Sequence, residues 1–534
     1  MNSDNKNALP RAGTPEEVGV SSEAILKMIE DIEASGAYEH GFMIIRNGKV
    51  AFESYRHPYS ASAPHCMYSV SKAVTSSAIG FAIDEGYLTL ETKLLDIFPE
   101  YRPAKYDKDL EATNILHLLS MQAGMKTALL TNKTKDRWME DFFEGKREYS
   151  PGEKHSYINE NIFLLCAILV RVTGIGVNDY LTPRLWEPLG INKPFWETDP
   201  KGIEAGGWGI HLSAEDLAKF ILCYMQEGEY DGKQVVPKEW AKKAVLNHEK
   251  FGEDRAPDRE GGYGLCFFRT GEGIKSFRAE GMFSQLGIGF EDYNAVFVTV
   301  GGDIEAGRTH KYIFDNFPKG FIDPNPEASP NPKLLEAKKK RETIKTPKQA
   351  PRSALEKTVN GKTIKFKHSK FLKHAGFPMS ILPLATTYMS KQRAGEIDDI
   401  SFRFYEDFCT FYWREKGETN RIRCGFNGQY LTSKIRLASI DYTVYSTASW
   451  TEKDTLEIWI NPIETIGTRY LTFKIDNKKV MMTPDFTPPL SALVNNLVGG
   501  VDLVAKKKLK ANIIKKFLVI AGKKLEPTHK GKLK

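Results

Sequence analysis

The first residues in this 534-residue chain that could carry out chemistry are a serine and a lysine three positions apart. Ser69 and Lys72 open the stretch SVSKAVTSSAIGFAIDEG. Residues three apart on a helix share one face, so the hydroxyl and the amine could meet. A serine hydroxyl is a weak nucleophile unless a base removes its proton. Lysine is such a base only where burial or neighbouring positive charge lowers its pKa.

The residues around this pair favour a buried lysine. Val70, Ala73, Val74 and Ala78 are apolar, and the small Gly80 allows close packing. The N-terminus of a helix also supplies backbone donors that favour a developing oxyanion. The alternative is a solvated lysine on a surface helix, and the Ser-x-x-Lys spacing alone does not decide between the two.

Two later stretches add further candidate residues. Tyr157 and Asn159 form the only Tyr-x-Asn in the chain and lead into the apolar helix of PGEKHSYINENIFLLCAILVRVTG. Ala279, Glu280 and Gly281 lie on a predicted strand in FRAEGMFSQLGIG. The alternative for Tyr157 is a core tyrosine whose hydroxyl is satisfied. His57, His65 and Cys66 cluster just before Ser69, and we interpret them as structural. Trp208 could line a pocket or pack in the core.

The elements that must position these residues alternate between helices and strands. Residues 22–35 show helical spacing after a serine cap, and 41–55 read as two strands around an Asn-Gly turn. Further helices are predicted at 69–86, 114–121, 160–173, 214–227 and 237–246, and further strands at 262–268, 275–281 and 294–302. Strands at both ends of this segment, with helices between them, predict one sheet built from both ends.

The amino-acid composition of the chain changes after this segment. A Pro- and Lys-rich stretch at 323–357 predicts a linker between domain 1–322 and a second domain. Residues 358–488 alternate aromatic and β-branched residues with polar ones, which predicts an antiparallel β-domain, a sandwich or a barrel. Residues 489–534 form a basic tail with helical spacing of apolar residues. Membrane-surface contact through this tail is considered but not favoured.

Composition excludes several classes of protein. The net charge of +7 comes from the tail, because residues 505–534 carry eleven lysines and one acid. We therefore expect no nucleic-acid partner. The six cysteines lie far apart without a Cys-x-x-Cys pair, which predicts free thiols and no metal site. The polar N-terminus has no signal-like apolar stretch, so a cytoplasmic location is expected.

Taken together, residues 15–315 resemble the serine β-lactamase and penicillin-binding-protein family, most of all its class C, carboxylesterase and 6-aminohexanoate-dimer hydrolase branch. The likeness includes the motifs above and, in order, YSVSKAVTSSAIGFAIDEGYLTLETKLLDIFPEY, ILHLLSMQAGM, YLTPRLWEPLGI and GGWGIHLSAEDLAKF. It implies an α+β, β-lactamase/transpeptidase-like fold: an antiparallel sheet flanked by helices plus a helical subdomain. The predicted C-terminal antiparallel β-domain follows it.

The resemblance also implies a role for each matching residue. Ser69 would be the acylated nucleophile, Lys72 its base, and Tyr157 a proton shuttle to the leaving group. Asn159 would hold Lys72 or the substrate amide. The backbone N–H groups of Ser69 and Met282 would form the oxyanion hole, and Gly281 would let the substrate lie close to the strand.

The chain departs from the family pattern at Ala279, where β-lactamases and transpeptidases usually carry a cation that pairs with the substrate carboxylate. Hydrolysis of a small ester or amide, without metal or cofactor, is therefore the favoured function. The alternatives are a β-lactamase or D-amino-acid peptidase, or a slow-turnover penicillin-binding or sensing protein. The sequence leaves the physiological substrate and the oligomeric state open.

Overall fold

The computed structural model of the protein describes residues 7–125, 137–246, 261–271, 273–305, 307–366, 397–415, 418–437, 440–476, 478–488 and 528–534. The helices of these residues are α1 (Ser22–Ser35), α2 (Ser71–Asp84), α3 (Leu94–Ile97), α4 (Lys108–Ala112), α5 (Ile115–Leu119), α6 (Trp138–Glu144), α7 (Asn159–Thr173), α8 (Val177–Leu181), α9 (Ala214–Met225), α10 (Lys238–Val245), α11 (Arg308–Asn316), α12 (Pro332–Glu342) and α13 (Glu356–Val359).

The strands fall into two groups along the chain. The first group is β1 (Glu39–Arg46), β2 (Lys49–Tyr55), β3 (His65–Cys66), β4 (His211–Leu212), β5 (Glu229–Tyr230), β6 (Lys233–Gln234), β7 (Phe268–Arg269), β8 (Ser276–Gly281), β9 (Gln285–Phe290) and β10 (Ala295–Gly301). The second is β11 (Thr363–Phe366), β12 (Ile397–Phe404), β13 (Phe408–Glu415), β14 (Glu418–Gly425), β15 (Leu431–Leu437), β16 (Ile440–Glu452), β17 (Thr455–Pro462), β18 (Thr468–Asp476), β19 (Lys479–Thr487) and β20 (His529–Leu533).

Six strands of the first group form one antiparallel sheet in the order β2-β1-β10-β9-β8-β7. The sequence prediction of a sheet built from both ends of this segment is confirmed. The hairpin between β1 and β2 turns at Asn47 and Gly48, which both have positive φ, 51° and 77°. Two positive φ values in succession suit the two-residue turns that match the twist of paired strands.

Helices cover both faces of this sheet. The apolar stripe of α1 (Ile25, Met28, Ile29 and Ile32) is buried with Ile313 of α11 against one face. Helices α2, α7 and α9 lie in the larger core on the other face. Gly80 of α2 allows close packing there, since a Cβ atom would lie 2.4 Å from the Trp240 ring of α10.

Two details of the predicted sheet are wrong. The sequence predicts a strand at 262–268, but only Phe268 and Arg269 pair with β8. Strand β9 was not predicted, because Gly287 and Gly289 interrupt its apolar pattern. Both glycines are needed for packing: a Cβ atom at Gly287 would lie 2.5 Å from Ile221 of α9, and one at Gly289 would lie 2.5 Å from Met225.

Helix α12 lies inside the stretch for which the sequence predicts a linker. It packs against α1 and β2. Arg341 near its end is buried and forms ion pairs with Glu39 and, at 2.8 Å, with Glu33. This part of the stretch therefore belongs to the surface of the first domain.

The second group of strands forms an antiparallel β-barrel. Its ten strands follow the order β14-β13-β12-β11-β20-β19-β18-β17-β16-β15, and a bridge from Gly425 of β14 to Thr447 of β16 closes the sheet. The predicted alternation places apolar side chains inside, among them Phe402, Phe411 and Trp450. Strand β20 comes from the end of the chain and lies between β11 and β19.

Most of the predicted basic tail, residues 489–527, lies outside the described residues, so the helix predicted there stays a prediction. Within the described residues, no single helix is long and apolar enough to span a membrane. One pair bent by 72°, Asn159–Thr173 with Val177–Trp186, passes a test of length and composition when taken together.

Candidate active site

Ser69 lies in a tight turn between a short strand and a long helix. The turn is a 3₁₀ helix, Tyr68–Val70, which runs directly into α2. The Ser71 hydroxyl donates to the Tyr68 carbonyl at 2.6 Å and accepts the Ile210 N–H at 3.1 Å. These bonds hold the turn against the segment before β4, so the backbone of Ser69 is fixed from both sides.

Lys72 is buried beside Ser69, with only 1% of its surface exposed. Its Nζ lies 2.8 Å from Ser69 Oγ, 2.8 Å from Asn159 Oδ1 and 2.6 Å from the Gly207 carbonyl oxygen. The solvated-lysine alternative is therefore wrong. Three neutral oxygens surround the amine at hydrogen-bond distance, and none of them carries a full negative charge.

Burial lowers the pKa of the Lys72 ammonium from 10.5 to about 7. The more distant Cys266 and Glu160 oppose this shift, but desolvation dominates. A pKa near neutrality means that a substantial fraction of Lys72 is an uncharged amine at physiological pH. The uncharged amine can accept a proton from a neighbouring hydroxyl.

Tyr157 and Asn159 reach Lys72 from the start of α7. Asn159 is the first residue of that helix, and the Tyr157 ring centroid lies 4.8 Å from Lys72 Nζ. Tyr157 is 38% exposed, so the core-tyrosine alternative is wrong. Tyr157 also contacts the ring of Phe268 on β7, with centroids 6.1 Å apart.

The end of strand β8 closes the other side of the site. A Cβ atom at Gly281 would lie 2.2 Å from the Met67 carbonyl oxygen. Only glycine therefore lets β8 lie this close to the turn that carries Ser69. Met282 follows at the end of the strand and is half exposed.

Strand β8 carries no free cation at the position where the family pattern has one. Ala279 is fully buried. Its neighbours Arg278 and Glu280 share the opposite face of the strand, as expected from strand alternation. Arg278 Nε donates to Glu280 at 3.2 Å, and His310 Nε2 lies 3.5 Å from the same carboxylate oxygen. The charge of Arg278 is thus balanced locally by Glu280.

The sequence did not identify every residue of the site. Gly207 supplies a carbonyl to Lys72, a role that no side-chain pattern reveals. The GGW motif around it was the available signal: a Cβ atom at Gly206 would lie 2.3 Å from Cys166 Sγ. Trp208 is buried against Trp138, with centroids 5.4 Å apart. It packs in the core.

The histidines before Ser69 contact other parts of the structure. His65 Nε2 lies 3.3 Å from His40 Nδ1, and burial lowers the pKa of His65 to about 4. His57 contacts the rings of Tyr430 and Tyr445 of the barrel. Neither histidine has a contact with Ser69 or Lys72 among those that the structure shows.

Together, the antiparallel sheet with helices on both faces and the Ser-Lys-Tyr cluster beside it define the β-lactamase/transpeptidase-like fold. The Beta-lactamase family model matches residues 27–301, slightly more than half of the chain. The chain belongs to this family.

Two curated relatives illustrate the range of the family. The 6-aminohexanoate-dimer hydrolase of Paenarthrobacter ureafaciens is 24% identical over 254 residues, which are 43% of this chain and 64% of that protein. The D-aminopeptidase of Gluconobacter oxydans (strain 621H) is 23% identical over 203 residues, 34% of this chain and 35% of that protein. The chain spans less than two thirds of the length of either relative.

One solved structure matches most of the chain at low sequence identity. The octameric penicillin-binding protein homologue from Pyrococcus abyssi is 16% identical, with a TM-score of 0.45. The match covers 86% of this chain and 97% of that one.

Proposed function

We propose that this protein is a serine hydrolase that cleaves a small ester or amide through an acyl-enzyme formed on Ser69. The observation that carries the proposal is the 2.8 Å contact between Lys72 Nζ and Ser69 Oγ, made by a buried lysine whose pKa is lowered to about 7. A lysine held this way can act as a general base at neutral pH.

The three contacts of Lys72 suit the neutral amine. An uncharged amine has two N–H groups and one lone pair. The two N–H groups can bind Asn159 Oδ1 and the Gly207 carbonyl, which are acceptors only. The lone pair then faces the Ser69 hydroxyl, which donates its proton. The same neighbours thus orient the lone pair toward the nucleophile.

In the proposed acylation step, Ser69 Oγ attacks the substrate carbonyl carbon while Lys72 takes the hydroxyl proton. The carbonyl π bond opens, and its electrons move to the oxygen. The backbone N–H groups of Ser69 and Met282 stabilise that oxyanion. When the intermediate collapses, the bond to the leaving group breaks, and Tyr157 relays the proton from Lys72 to the leaving oxygen or nitrogen.

Deacylation reverses these roles with water as the nucleophile. A water molecule attacks the ester carbonyl of the acyl-enzyme, and the Lys72–Tyr157 pair accepts its proton. The carboxylic acid leaves, and the proton returns to Ser69. Partial exposure of Tyr157 supports this step, because it places the shuttle where solvent reaches the site.

The substrate class follows from the charges around β8. A carboxylate beside the nucleophile would find Ala279 where related proteins use a cation, and Arg278 is already paired with Glu280. Uncharged esters and amides do not need a cation at this position. The names of two relatives, a 6-aminohexanoate-dimer hydrolase and a D-aminopeptidase, are consistent with a small amide substrate.

Labelling combined with turnover tests the proposal. We expect a fluorophosphonate to modify one serine per chain, mapped to Ser69 by mass spectrometry, and p-nitrophenyl esters or small amides to be hydrolysed. Ser69→Ala should lose both properties while it stays folded, and Ser62→Ala, at an exposed serine before β3, should keep both. Labelling at another serine would contradict the assignment. Labelling of Ser69 without turnover would favour the slow-turnover sensing protein instead.

A further inference from the structure

Three side chains with metal-ligating atoms meet beside the strand that leads to Ser69. The Cys66 Sγ, one carboxylate oxygen of Glu197 and a ring nitrogen of His211 all lie within 4.8 Å of one another. Among the described residues, this is the one group of three or more such side chains with that proximity. None of the three takes part in the proposed hydrolytic mechanism.

The backbone holds these residues in one layer. Cys66 of β3 pairs directly with His211 of β4, and the Glu197 N–H donates to the Gly209 carbonyl at 2.9 Å. The three side chains therefore project from neighbouring, hydrogen-bonded segments. A site built on paired backbone segments needs little reorganisation to bind a ligand.

His211 adds an independent observation that points to a ligand. It is 6% exposed, and its Nε2 has no hydrogen-bond partner. The nearest carboxylate oxygen, on Glu197, is 3.9 Å away, too far for a hydrogen bond. A buried polar atom without a partner is unfavourable. A metal ion bound to this nitrogen would give it a partner.

The chemistry of the three side chains indicates which metal ion they would bind. A thiolate and an imidazole are poor ligands for Mg²⁺ or Ca²⁺, whereas a Cys, His and carboxylate set suits Zn²⁺. A zinc ion would also balance the charges of one thiolate and one carboxylate, which leaves a neutral buried site. The cysteine spacing in the sequence predicts no metal site, because only one cysteine takes part in this group and its partners are distant in the chain. We propose that Cys66, Glu197 and His211 form a zinc-binding site.

The ionisation of Cys66 would change when the metal binds. Burial and the nearby Glu197 carboxylate raise the pKa of the Cys66 thiol above its ordinary value, so the thiol stays protonated in the metal-free protein. The thiol makes a long hydrogen bond, 3.7 Å, to the Trp208 carbonyl. Zinc binding deprotonates a coordinating thiol outright, so binding releases a proton and weakens at low pH.

The site lies where the two domains meet. The Cys66 N–H donates to the Glu464 carbonyl of the barrel at 2.9 Å. The Glu464 carboxylate is already bound by the Thr443 N–H, at 2.9 and 3.1 Å, so it is a neighbour of the site and not a fourth ligand. The zinc ion would cross-link three segments just before the nucleophile. Its role is structural, and no catalytic step passes through it.

Zinc binding by the untagged full-length protein tests the proposal. After treatment with a chelator and dialysis, the protein is loaded with Zn²⁺ and desalted, and the metal is measured by atomic emission. We expect one zinc ion per chain. Cys66→Ser and His211→Ala should each bind zinc at least tenfold more weakly. Cys223→Ser, at a buried free cysteine of α9 outside the group, should bind like the unmodified protein.

A second measurement does not depend on whether the variants fold. Co²⁺ loaded into the unmodified protein should give the charge-transfer absorption of a thiolate–cobalt bond, and Zn²⁺ should abolish it. Zinc should also protect Cys66, mapped by mass spectrometry, from alkylation. Less than a tenth of a zinc ion per unmodified chain, or full zinc binding by the Cys66→Ser/His211→Ala double variant, would overturn the proposal. Ester hydrolysis is scored separately, so the hydrolase proposal stands or falls on its own.

Discussion

The rings of Tyr68 and Phe283 contact each other edge to face, with centroids 5.0 Å apart. Both residues have a positive φ, 46° and 64°, which is uncommon and unfavourable for aromatic residues. Tyr68 comes directly before Ser69, and Phe283 comes directly after Met282. The contact therefore joins the two backbone segments whose N–H groups form the proposed oxyanion hole.

The barrel core supports this pair. The Phe283 side chain is buried in the apolar cluster of the barrel, and Tyr68 packs against the same cluster. Packing of this kind can hold a backbone conformation that is unfavourable on its own. The barrel thus forms part of the scaffold of the candidate active site.

We expect Phe283→Ala to lower kcat for ester hydrolysis about ten- to a hundredfold with a smaller effect on KM. The loss of one well-placed oxyanion donor costs about a hundred- to a thousandfold, and a displaced donor should cost less. Steady-state kinetics on a p-nitrophenyl ester give the measurement.

The matched control for this prediction is Ile475→Ala, which opens a cavity in the barrel core at the opposite end of β18 from Thr468, the residue that bonds to Tyr38 of the first domain. It should lower the midpoint of thermal unfolding, since large-to-small changes in a core cost about 2–5 kcal/mol, but keep kcat within about threefold. Equal losses of kcat in both variants would mean that the barrel affects activity only through overall stability.

Much of the first domain follows from sequence patterns, and the exceptions have physical reasons. The predicted bounds of α1 agree with the structure because a serine cap and a strict apolar stripe mark both ends. Strand β9 was not predicted from the sequence, because its glycines are required for packing and have a low strand propensity. Strand β20 was not predicted either. It is a lysine-rich segment of five residues, and it forms a strand because it pairs with β11 on one side and β19 on the other.

The barrel also contacts the first domain through the loop between β17 and β18. Gly302, just after β10, lies so close to this loop that a Cβ atom would be 1.8 Å from the Ile466 carbonyl oxygen. We therefore expect Gly302→Ala to lower the midpoint of thermal unfolding by several degrees and to reduce kcat. Gly13→Ala is the control, since an added methyl group there would meet only the Glu17 carboxylate, at 3.3 Å. An unchanged midpoint in Gly302→Ala would show that the two domains do not unfold together.

The pKa of Lys72 predicts the pH dependence of the reaction. The base must be uncharged to accept a proton, so kcat/KM should rise with pH, with its midpoint near the Lys72 pKa of about 7, and level off above it. Lys72→Arg should lose activity by several orders of magnitude, because a guanidinium stays protonated. Rates measured from about pH 5 to pH 10 check this. A midpoint near the ordinary lysine value would mean that Lys72 is not the desolvated base described above.

A substitution of Asn159 should shift the midpoint of the pH dependence of kcat/KM. Its Oδ1 lies 2.8 Å from Lys72 Nζ, so Asn159→Asp would place a negative charge beside the amine. An opposite charge at this distance favours the ammonium and raises its pKa by about one to three units. We expect the acidic limb of the profile to shift to higher pH, with lower kcat/KM at pH 7. Asn159→Ala removes the contact without adding charge, so its limb should not move upward.

The candidate site shows a similar division between what the sequence can and cannot predict. Ser69 and Lys72 were candidates because of their types and spacing, but the resemblance to the family was needed to assign roles to them and to Tyr157 and Asn159. The structure brings all four together. The Gly207 carbonyl was not identifiable, because any residue has a carbonyl and only the fold decides which one faces Lys72.

Ala279 gives the last prediction. A cation at this position on β8 would stabilise a substrate carboxylate beside Ser69, and a charge-assisted hydrogen bond contributes about 1.5–3 kcal/mol. We therefore expect the unmodified protein to hydrolyse short acyl esters but to react poorly with penicillins and cephalosporins.

Ala279→Lys should raise β-lactam acylation relative to ester turnover by about ten- to a hundredfold. Ala279→Met has a similar length without charge and should not, which separates charge from the cost of a larger side chain in this buried position. Efficient β-lactam hydrolysis by the unmodified protein would show that another cation binds the carboxylate.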